Sequence, residues 1–129
     1  MTKTPRPISF HEDAIQFITA YFSIPRALVT NCVGWELDLT LQALPLRQYF
    51  DVIVNYEPPL RGKPEGDLYL KAAEILQVSA KKCLIFEDSA TGILSGKNAG
   101  MTVVAIDRGI HRDFHEADVV VPSFCELMQ

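Results

Sequence analysis

Apolar and polar positions fall into short blocks along the chain, and the blocks carry two periods. Phe10, Ala14, Phe17, Ile18, Tyr21 and Phe22 recur at helical spacing, which predicts an amphipathic helix opening at Ser9. Glu12, three residues after Ser9, completes a capping box, and Ser23-Ile24-Pro25 ends the segment. Arg26 to Asn31 reads as a short strand with a polar end, and Cys32-Val33-Gly34 as a turn. Trp35 to Leu44 reads as a helix with Leu37, Leu41 and Leu44 on one side, closed by Pro45. Tyr49 to Val54 is a further strand, and Asn55 to Gly62 a loop containing Pro58-Pro59. Asp67 is placed as the cap of a helix running to Leu76, with Leu68, Ala72, Ile75 and Leu76 inward. Cys83-Leu84-Ile85-Phe86 is an unbroken apolar run, the pattern of a strand buried on both faces. A small-residue helix follows from Ala90 to Ala99, stopped by Gly100. Met101 to Ile106 is another buried-type strand, Asp107 to Asp118 a charged loop, and Val119-Val120-Val121 a last strand before Pro122.

Strands alternating with helices at this interval predict an α/β fold: a parallel sheet with helices on both faces. At 129 residues the chain reads as a single domain, residues 1–129. A chain of roughly 150 residues buries about two-thirds of its unfolded surface, so a real core is within reach. The net charge of −4 argues against a nucleic-acid or anionic-membrane partner, and no apolar run has membrane-span length. Residues 1–9 contain no apolar core of a signal peptide. Cys32, Cys83 and Cys125 are odd in number and widely spaced, which suggests neither a disulfide framework nor a zinc site and fits a cytoplasmic location.

In an open parallel sheet, ligands bind beyond the carboxyl ends of the strands. Three strand or loop ends carry polar groups here. Thr30, followed by Asn31, ends one strand, and Glu87 and Asp88 end another. Lys63 follows a glycine and precedes a proline in the loop between them. On one sheet edge these give a hydroxyl, a cation and a pair of hard oxygen ligands, a set suited to a phosphoryl group with Mg²⁺. Thr30, with the amides after it, would bind phosphate, Asn31 would add a hydrogen bond, and Lys63 would neutralise charge. Glu87 and Asp88 would hold the metal. His11, His111 and His115 form no nucleophile–base pattern and read as surface residues.

In this order the segments resemble those of the haloacid dehalogenase superfamily, in its phosphatase and β-phosphoglucomutase-like branch. Ala27-Leu28-Val29-Thr30-Asn31 is similar to the family's second motif, Gly62-Lys63-Pro64-Glu65-Gly66-Asp67 to its third, and Ile85-Phe86-Glu87-Asp88-Ser89-Ala90-Thr91-Gly92 to its fourth. Gly66 departs from the pattern, standing where many relatives carry a second proline. The resemblance spans roughly Ser9 to Val121 and implies a Rossmann-like core. It implies Mg²⁺-dependent phosphoryl transfer from a small phosphorylated metabolite through an aspartyl-phosphate. Thr30 and Lys63 would be its phosphate-binding and catalytic residues, and Glu87 and Asp88 its metal ligands.

The family's first motif, Asp-x-Asp-x-Thr/Val, supplies the nucleophile and the general acid–base, and it has no counterpart in residues 1–129. Asp38-Leu39-Thr40 lies in a helical pattern, and Glu12-Asp13 in a first helical turn. The helical cap is also missing, so the expectation is an incomplete, N-terminally truncated core with little turnover alone. In relatives the first strand lies between the strands carrying the second and fourth motifs. Ala27–Thr30 and Cys83–Phe86 therefore either pair directly, face a strand from another chain, or await a segment encoded elsewhere. The alternative function is a non-catalytic core that binds a partner or oligomerises through its open strand edges. A response-regulator receiver domain fits worse, because its acidic pair precedes the other site residues along the chain.

Overall fold

The computed structural model describes residues 12–21, 23–43, 47–109 and 114–128. In chain order it contains α1 (Glu12–Ala20), β1 (Ala27–Val29), α2 (Gly34–Ala43), β2 (Val52–Val54) and α3 (Asp67–Leu76). These are followed by β3 (Leu84–Glu87), α4 (Ala90–Asn98), β4 (Thr102–Ile106) and β5 (Val119–Val121). Single 3-10 turns occupy Arg47–Tyr49, Ala80–Lys82 and Phe124–Leu127. This is the α/β architecture that the pattern predicts.

The strands form two all-parallel half-sheets, β1-β2 and β3-β4-β5. β1 and β3 do not pair with each other. One helix lies against both halves. From α3, Leu68 and Ala72 bury with Val54 against Ala27, Val29 and Val52. Tyr69 and Ala73 of the same helix join Ile85, Ile93, Val103 and Ala105. α4 completes that layer, with Gly96 so close to Ile85 and Val103 that a Cβ would lie 2.6 Å from a Val103 methyl. On the opposite face Phe17 of α1, Phe86 of β3 and Phe124 form an aromatic cluster with centroids 5.0–5.4 Å apart. Asp13 pins this layer, accepting from the Phe124 amide at 2.9 Å and from Arg108 at 3.0 Å. Burial pushes the Asp13 carboxyl up, but the Arg108 and amide hydrogen bonds outweigh it and hold it below the usual value.

Several local expectations are corrected. The predicted strand Tyr49–Val54 is strand only over Val52–Val54, because the chain first makes a 3-10 turn. Asp67 is the first helical residue and Gly66 the N-cap; the Asp67 carboxylate instead accepts from the Arg61 amide and guanidinium. Ile75 is 47% exposed and not inward, since the half-sheets are contacted by the helix face of Leu68, Tyr69, Ala72 and Ala73. β3 is not buried on both faces: Leu84 is 53% exposed while Ile85 and Glu87 are buried. α2 buries no residue, and Trp35 and Leu39 stand in solvent. Gly100 ends the α4 turn at a positive φ of 77°, as its position predicts. The Ser9 capping position, His11, Phe22, Leu44 and His111 lie outside the described residues, and His115 is exposed.

Candidate active site

The carboxyl ends of β1 and β3 are joined by one side chain. Lys63 Nζ donates to the Val29 carbonyl at 3.1 Å and to Glu87 Oε2 at 2.5 Å. Both side chains are close to fully buried, 11% exposed for Lys63 and 9% for Glu87. A cation taken this far from water needs a full set of acceptors, and a buried carboxylate needs donors. The Tyr69 hydroxyl supplies one, donating to the same Glu87 Oε2, and its ring lies 5.0 Å from the Lys63 ammonium. Burial, reinforced by the Glu87 carboxylate, pushes the Tyr69 hydroxyl up, so it stays protonated and a donor.

Glu87 rests on the first turn of α4. A Cβ on Gly92 would sit 2.0 Å from the Glu87 carboxyl carbon, so only glycine admits the carboxylate there. Ser89 caps α4 by accepting from the Gly92 amide at 3.0 Å, and its hydroxyl approaches Glu87 Oε1 at 3.4 Å. The positive end of the helix adds to the seat.

The structure thus brings Thr30, Asn31, Lys63 and Glu87 together, with Asp88 next in the chain. Their partners differ from those expected. Thr30 Oγ1 accepts from the Cys32 amide at 3.1 Å, and the Val33 amide donates to Glu36 at 3.3 Å. The two amides are therefore used locally, and the Thr30 hydroxyl proton is what that turn keeps for a ligand. Asn31 Oδ1 accepts from the Lys63 amide at 2.7 Å, and its Nδ2 faces the Lys63 carbonyl at 3.4 Å. Its amide clamps the lysine loop rather than reaching outward. Asp88 is exposed. Tyr69 escaped the sequence reading; its place beside Leu68 on the face that also carries Ala72 and Ala73 was the available signal.

As a Mg²⁺ site this set is partial. Asp88 offers a free carboxylate and Glu87 one less-engaged oxygen, whereas Glu87 Oε2 is committed to Lys63 and Tyr69. Among the described residues, no cluster of three or more His, Cys, Asp and Glu side chains could hold a metal ion.

The parallel α/β core thus brings a threonine, a lysine and an acidic pair to adjoining strand ends. The family model of haloacid dehalogenase-like hydrolases matches residues 11–106, and the chain belongs to that family. It is 36% identical over 89 residues to the phosphorylated carbohydrates phosphatase of Thermotoga maritima, covering 69% of this chain and 41% of that protein. It is 36% identical over 87 residues to the β-phosphoglucomutase of Bacillus subtilis, covering 67% and 38%. A haloacid dehalogenase-type hydrolase from Entamoeba histolytica superposes with a TM-score of 0.81 at 28% identity, covering 93% of this chain and 57% of that one. The chain spans less than half the length of both curated relatives. Among the described residues, no helix is long and apolar enough to cross a membrane.

Proposed function

We propose that this chain is the phosphate-binding half of a Mg²⁺-dependent phosphatase or phosphomutase acting on a small phosphorylated metabolite. The Lys63 ammonium, seated between the Val29 carbonyl and Glu87, carries this reading. It is a desolvated, rigidly held cation bonded to the carbonyl of the residue before Thr30, and a phosphoryl group with spread negative charge calls for such a cation together with a hydroxyl donor. In this reading the Thr30 hydroxyl donates to a phosphate oxygen and Lys63 neutralises the group. Glu87 and Tyr69 fix the ammonium, and Asn31 fixes the loop that carries it. Asp88 and the less-engaged oxygen of Glu87 would hold Mg²⁺, which would supply charge neutralisation for the phosphate. In this reading Glu87 Oε2 is committed to Lys63 and Tyr69, and no Asp-x-Asp motif stands in residues 1–129 to supply the nucleophile. The free cysteines support a cytoplasmic, reducing setting.

The test has two arms. Inorganic phosphate titrated into the ¹⁵N-labelled chain with Mg²⁺ is expected to shift the amides around Thr30 and Lys63 at millimolar concentration. Hydrolysis of p-nitrophenyl phosphate is expected to stay at background. No shift around those residues would overturn the phosphate site. Turnover abolished by Asp88→Asn would show that the chain holds its own nucleophile.

A further inference from the structure

The loop that presents Lys63 is held from two sides. From β1, Asn31 Oδ1 takes the Lys63 amide at 2.7 Å, and the Glu65 amide closes the turn on the Gly62 carbonyl at 3.0 Å. The second hold comes from α4. Ser95 Oγ donates to the Glu65 carbonyl at 2.6 Å, and Asn98 Nδ2 donates to the Pro64 carbonyl at 2.9 Å. Ser95 and Asn98 are three residues apart and share a face of the helix. Ser95 is fully buried, where a hydroxyl is costly unless it is bonded, and its bond goes to the loop. Gly66 makes the approach possible. A Cβ there would lie 2.8 Å from the Ala99 nitrogen and 2.9 Å from its Cα, so the missing side chain lets the end of α4 meet the loop. Gly66 is also where this chain departs from the family's motif.

The same helix seats Glu87 at its other end, through Ser89 and Gly92. α4 has nine residues and is about 13 Å long. Its first turn therefore holds the carboxylate of the buried ion pair, and its last turn holds the backbone that carries the ammonium. Lysine has a flexible four-carbon stem, so its ammonium keeps one place only if its own backbone is fixed. We infer that Ser95 and Asn98 are positioning residues for Lys63. By fixing the two peptide units after the lysine, they set where its ammonium stands relative to Glu87 and to a bound phosphate. The phosphate part of this inference rests on the function proposed above.

The experiment follows the Lys63 ammonium itself, by ¹H–¹⁵N spectra of the lysine Nζ groups in the full chain, with Lys63→Met to assign the signal. Asn98→Ala and Ser95→Ala are each expected to speed proton exchange of that ammonium about fivefold and to weaken inorganic phosphate binding about fivefold, the share of one hydrogen bond. Lys97→Met is the control for a merely structural role. Lys97 lies between the two residues and bonds Asp118 and the Met101 carbonyl, away from the loop. It is expected to lower Tm and leave both readings unchanged. Asn98 is exposed, so its variant decides the matter if Ser95→Ala does not fold. Unmoved ammonium exchange in the variants, undiminished phosphate affinity in them, or an equal effect of Lys97→Met would each overturn the inference. Phosphate failing to bind even the unaltered chain would overturn the proposed function, and the ammonium exchange would still decide whether α4 positions Lys63.

Discussion

Replacing Lys63 tests the centre of the site through stability, with no need for catalysis. In Lys63→Met a long apolar chain fills the same path, but Glu87 loses its cation and the Val29 carbonyl loses a charged donor. Removing one member of a buried ion pair costs about 3–5 kcal/mol, because the partner stays buried and uncompensated. Glu87 keeps the Tyr69 hydroxyl, the Ser89 contact and the end of α4, which places the expected loss at the lower end, about 3 kcal/mol. Against a total stability of about 5–15 kcal/mol this is a large fraction. It corresponds to a fall in Tm of about 10–15 °C for a chain of this size. Glu87→Gln removes the charge from the other side and leaves the ammonium against two carbonyl-type acceptors. The double variant Lys63→Met with Glu87→Gln is expected to cost less than the sum of the singles by at least about 1.5 kcal/mol. Urea unfolding followed by far-ultraviolet circular dichroism measures all four corners of the cycle. A loss under about 1 kcal/mol for Lys63→Met, or additivity within about 0.5 kcal/mol, would refute a buried, mutually dependent pair.

Two further outcomes are expected. Gly92→Ala places a methyl 2.0 Å from the Glu87 carboxyl carbon and is expected to destabilise the fold by about 2 kcal/mol or more. Gly100→Ala meets no atom within 4 Å and is expected to cost only about 1 kcal/mol, from its positive φ; thermal unfolding of the two variants side by side checks the order. Asp13 and Asp118 are held below their usual value near 3.8 by Arg108 and Lys97 respectively. A depressed carboxylate contributes stability that is complete above its unfolded pKa and is lost as pH falls through the folded one. Stability is therefore expected to fall below about pH 4, and Arg108→Met to flatten that acid limb in a Tm-versus-pH series.

How far the sequence could be read depended on whether a feature was local. The apolar runs at Ile85 and Val103 fixed β3 and β4, and Gly100 fixed the end of α4, because each rests on a period or a backbone conformation. The convergence of Thr30, Lys63 and Glu87 was also legible, since parallel strands present their carboxyl ends on one edge. What each side chain bonds to there was not. Asn31, expected from its place in the sequence to add a hydrogen bond to phosphate, accepts from the Lys63 amide, a pairing of residues far apart in sequence. Glu87 and Asp88 were read as equivalents, yet the period of two in a strand turns Glu87 inward onto Lys63 and leaves Asp88 in solvent. The exposure of Leu84 was hidden for a related reason. Four apolar letters in a row look the same whether or not both faces have a neighbour.

The position of α3 has a mechanical consequence. Leu68 and Tyr69 are consecutive, yet the first belongs to the core under β1 and β2 and the second to the core under β3 and β4. The helix is thus the spine of an open book, with a half-sheet as each cover. Lys63, bonded to Val29 on one cover and to Glu87 on the other, is the clasp across the two, and Tyr69 reaches it from the spine through the same Glu87 oxygen.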